Sequence, residues 1–90
     1  MNEAGMLASL KVDLGISATV YDTRLAQLIQ VAKANIISEG AASLNTDNID
    51  DANLVIQYAA WLWRRRDTMV AMPRMLRWQL NNRVFGEKMV

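Results

Sequence analysis

The sequence contains no cysteine and no histidine. Disulfide staples and thiolate chemistry are excluded, as are imidazole-ligated zinc and histidine acid–base catalysis. Its serines and threonines lack the histidine that completes the usual nucleophile–base pair. The four glycines are scattered singly, so no glycine-rich phosphate loop exists. Long apolar runs are missing as well. The most apolar stretch, Leu54 to Trp63, is about ten residues and is broken by Gln57, whereas a membrane span needs roughly twenty. The first residues lack the basic patch and apolar segment of a cleavable secretion signal. These absences predict a soluble, non-enzymatic chain with no cofactor, no metal and no membrane partner.

What the chain has in quantity is apolar side chain. Of its 90 residues, 52% are hydrophobic, among them six Met and three Trp, slightly above the usual globular share. A single domain spanning residues 1–90 is expected. A domain this small hides only about 60–65% of its unfolded-state surface on folding. Surplus apolar surface is therefore expected to meet neighbouring protein, a role that suits adaptable Met and amphipathic Trp.

The net charge of +1 conceals a split. Residues 1–51 carry three basic and seven acidic side chains, a net −4; residues 52–90 carry seven basic and two acidic, a net +5. Opposite halves of this kind serve head-to-tail contact between copies, a basic face toward nucleic acid, or pairing within one monomer.

Hydrophobic periodicity predicts an all-α bundle of about four helices. Leu7, Leu10 and Leu14 define a first helix over Glu3 to Leu14, with Gly15 as its stop. Tyr21, Leu25, Leu28, Ile29, Ala32 and Ile36 form a stripe of period 3.6 over Thr19 to Glu39. Ser17 or Thr19 is expected to cap it, and Gly40 to end it. Gly40 to Asn48 reads as a loop. A third helix follows from Ile49 to Asp67, capped by Asn48, with Asp50 and Asp51 where the helix dipole favours negative charge. Its apolar face of Val55, Ile56, Ala59, Leu62 and Trp63 is broad enough for the centre of the fold. Thr68 to Met72 is a connector. Pro73 opens a fourth helix reaching Val84, with Leu76, Leu80 and Val84 on one face and a loose tail after Gly86.

Few residues invite chemistry. Asp47, Asp50 and Asp51 are the one acidic cluster, and they lack the central Gly and final Glu of a calcium loop. Arg64, Arg65 and Arg66 end the third helix. Consecutive helical residues point about 100° apart, so the three make no flat patch; they suit the helix dipole, a carboxylate on a neighbour, or phosphate. Trp61 and Trp63 face roughly opposite ways, so one of them is expected to meet another element or subunit. Trp78 lies off the Leu76–Leu80 stripe and is expected to be an exposed aromatic anchor. With Arg74 and Arg77, these are the candidate residues for a subunit interface or a DNA channel: Arg64, Arg65, Arg66, Arg74, Arg77, Trp61 and Trp78.

The segment Leu10-Lys11-Val12-Asp13-Leu14-Gly15-Ile16, followed by Asp22, Leu25, Leu28, Ile29, Ala32 and Ile36, resembles the opening of the small head–tail connector proteins of tailed bacteriophages. Later parts of the same pattern are Ala59-Ala60-Trp61-Leu62-Trp63-Arg64 and the Pro-led Met72-Pro73-Arg74-Met75-Leu76. The resemblance runs from about Leu7 to about Arg83. It implies a helical, non-catalytic homo-oligomer, commonly a ring of twelve copies, set in the virion beneath the portal protein. Such a ring extends the DNA channel and offers a docking surface to the tail completion proteins. The chain departs from the pattern where Trp63-Arg64-Arg65-Arg66-Asp67 replaces a Tyr-Glu-x-Arg-like ending, and in being short at its C-terminus.

Two other classes compete with a connector. One is a small DNA-binding transcriptional regulator with a helix-turn-helix, for which the fourth helix, with Arg74, Arg77, Gln79, Asn81, Asn82 and Arg83, is the only one polar enough to read bases. The other is an adaptor that holds a partner helix in a groove.

Overall fold

The computed structural model describes residues 1–65 and 71–88. The chain is a compact all-α bundle of four helices: α1 (Glu3–Leu14), α2 (Asp22–Ser38), α3 (Ile49–Arg64) and α4 (Arg74–Lys88). The anticipated end of the third helix at Asp67, and most of the connector from Thr68 to Met72, lie outside the described residues.

Local chemistry sets most of the boundaries. The Asn2 side chain accepts the Gly5 amide at 2.7 Å and starts α1. Gly15, at φ 70°, ends it in a Schellman motif: Ile16 N–H bonds the Lys11 carbonyl at 2.9 Å, and Gly15 N–H bonds that of Val12 at 3.1 Å. The Asn48 side chain accepts the Asp50 amide at 2.9 Å and caps α3 as expected.

α2 starts three residues later than its periodicity suggests. Neither Ser17 nor Thr19 caps it; Tyr21 holds the cap position without a side-chain bond, and Asp22 N–H closes a turn onto the Thr19 carbonyl at 3.1 Å. The Asp22 carboxylate instead takes the Lys11 ammonium at 2.7 Å. This pair ties the last turn of α1 to the first turn of α2, and each charge sits at the helix end whose dipole favours it.

α3 is the centre of the fold, and α1, α2 and α4 all pack against it. It buries Ala52, Val55, Ile56, Ala59, Leu62 and Trp63, and also Leu54, Tyr58 and Ala60. The α2 stripe of Leu25, Leu28, Ile29, Ala32 and Ile36 is buried against it, whereas Tyr21, expected on the same stripe, precedes the helix and is exposed. α1 packs its expected face of Leu7, Leu10 and Leu14 on the core, with Leu10 fully buried and the other two partly so; Met6, not anticipated, is fully buried beside them. Ala4, Ala8 and the 80%-exposed Val12 make the opposite side of α1 apolar too, so spacing alone did not mark the edges of the buried face.

α4 buries Leu76 and Leu80 and leaves Val84 half-buried. Gly40 faces Val84 so closely that a Cβ at that position would sit 2.9 Å from Cγ1. Gly40 also has φ 128°, so conformation and space both demand glycine. The helix runs on through Gly86 to Lys88 where a loose tail was expected. The turn is held by Glu87, whose carboxylate accepts the Ser43 amide at 2.9 Å and the Arg83 guanidinium at 2.8 Å.

Candidate interaction surface

The residues singled out from the sequence separate into three groups. Arg64 and Arg74 are exposed, at the end of α3 and the start of α4, and make no ion pair among the described residues. Arg65 lies over the Trp61 ring, with Cζ 4.7 Å from its centroid. The stack uses the ring quadrupole and keeps the guanidinium at the surface. Arg77 is already engaged within the chain, 3.2 Å from the Glu39 carboxylate. Arg66 lies outside the described residues.

The tryptophans divide as their spacing implies. Trp63 is buried, its ring edge-to-face with Tyr21 at 5.3 Å, so α3 meets the entry to α2 on that side. Trp61 is half-buried and edge-to-face with Tyr58 at 5.5 Å. Trp78 is exposed, as expected, and it has company. Met75, Trp78 and Phe85 lie 64%, 60% and 63% exposed on the outer side of α4. Their positions, with Asn82 between, follow the three- and four-residue steps of a helix-packing seam.

A polar cluster missed in the sequence fixes that side of the molecule. Asp51 is the one buried charged residue among those described. Arg83 bonds it through two atoms, Nε to Oδ1 at 2.8 Å and a terminal nitrogen to Oδ2 at 3.3 Å, and the Asn45 amide adds a third bond at 3.0 Å. The same arginine reaches Glu87 and, at 3.2 Å, the Ser43 hydroxyl. Its bonds to Asp51 first, and to Glu87 second, raise the Arg83 pKa above its ordinary value. Ser43, followed by Arg83, holds the Glu87 carboxyl below the usual range. Two signals in the sequence pointed here: the i,i+4 spacing of Arg83 and Glu87, and the i,i+4 step from Asp51 to Val55 that turns an acid toward the core.

The pairs Arg83–Asp51 and Arg77–Glu39 join the basic half of the chain to the acidic half inside one monomer. Part of the charge split is thus neutralised internally, and Arg64, Arg74, Asp13 and Asp50 remain exposed. Asp47, Asp50 and Asp51 do not converge; among the described residues no three acids gather as a metal site. No helix among them is long and apolar enough to cross a membrane.

Two shallow troughs flank the exposed side of α3. One, of about 450 Å³, lies between the first half of α3 and the middle of α4. The second brings Asp13, Trp61, Arg64 and Met75 around the end of α3. Comparison of the chain with protein-family models, curated proteins and solved structures finds no match.

Proposed function

We propose that this chain is a structural, non-catalytic subunit of a phage or prophage head–tail connector, found in the virion and, during assembly, in the host bacterial cytoplasm. On this reading it forms a homo-oligomeric ring, of twelve copies if it follows the proteins it resembles. The ring sits between the portal protein and the tail completion proteins and lengthens the channel through which DNA passes without sequence recognition. The observation that carries the reading is the outer face of α4. Three large apolar side chains, each at least 60% exposed, make a patch that favours protein contact. Exposed Arg74 lies beside that patch, and exposed Ala8 and Val12 lie on α1, so a face of one copy can meet a different face of the next. Arg64 and Arg74 suit either a neighbour's carboxylate or loose contact with passing phosphate.

A DNA-reading regulator would present the outer face of α4 to base edges. Met75, Trp78 and Phe85 occupy that face, which gives the alternative less support than the connector.

Sedimentation velocity of the purified protein, alone and mixed with portal protein, tests the proposal, with electron microscopy of the mixture. Rings or portal-bound copies are expected, and Met75→Asp with Phe85→Asp should abolish them without loss of helicity. A chain that stays monomeric at high concentration and ignores the portal would overturn it.

A further inference from the structure

The trough between α3 and α4 is the candidate groove; the trough at the end of α3 touches it only at Gln57. The floor of the groove is the solvent stripe of α3, from Asp50 through Asn53 to Gln57, a rise of roughly 10 Å at 1.5 Å per residue. Its wall on one side is α4, with Trp78, Gln79 and Asn82. The side chains of Asn53, Gln57, Gln79 and Asn82 make no hydrogen bond among the described residues; those of Asn35 and Asn81 are unbonded too, but each stands outside this trough. Four amides, each with a free donor and a free acceptor, thus converge on one linear trough beside an exposed indole.

We infer that this groove binds an extended peptide segment of a partner protein, about three residues of it lying along the floor at 3.3 Å per residue, with a basic side chain over Asp50. A helical ligand has satisfied its own backbone groups, but an extended segment presents N–H and C=O groups that need partners of both kinds, and side-chain amides supply both. Trp78 offers a flat apolar surface to a side chain of the segment. The Asp51 charge is matched by Arg83 within the chain, so Asp50 is the uncompensated charge at its end of the groove and selects for Lys or Arg there. The inference does not rest on the connector reading.

An array of random seven-residue peptides, probed with the full chain, tests it, followed by fluorescence polarisation with an enriched peptide. The enriched peptides should share a basic residue near one end. Asn53→Ala, Gln57→Ala and Asn82→Ala should each weaken binding about five- to tenfold. Asp50→Lys should exchange the basic preference for an acidic one, and N-methylation of alternate peptide residues should abolish binding. All four positions are at the surface, and far-ultraviolet circular dichroism verifies that the variants fold. Phe85→Asp alone, in the patch proposed for ring contact and outside both troughs, should leave peptide binding intact, so the two proposals fail separately. The inference is overturned if no peptide is enriched or if enriched peptides ignore these substitutions. It is overturned equally by helix-patterned peptides that tolerate N-methylation, or by a groove that takes oligosaccharides on a glycan array in place of peptides.

Discussion

Arg83 straddles Asp51, meeting both carboxylate oxygens and so fastening α4 to the first turn of α3. Asp51 is only 6% exposed, and its charge depends on this one guanidinium. Removing the arginine leaves a buried charge without a counterion, which is costlier than the pair itself is favourable. Arg83→Met should destabilise the fold by about 2–3 kcal/mol, a figure discounted for the partial exposure of the arginine. Asp51→Asn should cost less, and the double variant less than the sum. Urea denaturation of the four proteins of this cycle measures the coupling.

Glu87 and Glu3 make stability depend on acid. Hydrogen bonds from Ser43 and then Arg83 lower the first, and the Lys33 ammonium lowers the second. A carboxyl held low in the folded state contributes fully above its unfolded value, about 4.3, and that contribution is lost as pH falls through the folded value. Stability should therefore hold steady from neutrality to about pH 5 and then decline. Glu87→Gln should flatten part of that decline, as read from thermal midpoints across pH 2.5–7.

The two glycines with positive φ should respond unequally to alanine. Gly15→Ala meets open space and bears only the left-handed backbone penalty, about 1 kcal/mol. Gly40→Ala adds collision with Val84 to an unfavourable φ and should cost about 2–3 kcal/mol. Pairing it with Val84→Ala should relieve the collision and leave the backbone part. Differential scanning calorimetry of the three variants separates the contributions.

Trp63 and Trp78 should behave as opposites. Trp63→Ala opens a cavity beneath Tyr21 and should lower stability by about 3–5 kcal/mol. Trp78→Ala removes an exposed ring and should change stability by no more than about 0.5 kcal/mol. Acrylamide should quench Trp78 emission readily and leave Trp63 largely untouched.

Much of the helical architecture could be read from side-chain spacing, and the reasons for success and failure are physical. The α2 stripe and the Asn48 cap were legible because each rests on neighbours close in sequence. Met6 was missed on α1 because apolar residues surround that helix axis, so periodicity defines the edges of its buried face poorly. The start of α2 was misplaced because Asp22 answers to Lys11 on another helix, a tertiary pairing that local capping rules omit. Trp78 was found at the surface because it stands off the buried stripe of its own helix. The Asp51–Arg83 pair was missed because 32 residues separate its members, and an acid near a helix start already has a sufficient local explanation.

Ser43, Asp51, Arg83 and Glu87 come from a loop and two helices and share one guanidinium. Changing any one strands the others, so random drift cannot edit them independently. Descendants of this chain should inherit the quartet intact or replace it wholesale, for instance with aliphatic side chains. Joint substitution at positions 43, 51, 83 and 87 is therefore the evolutionary trace by which this fold would be known once its relatives are aligned.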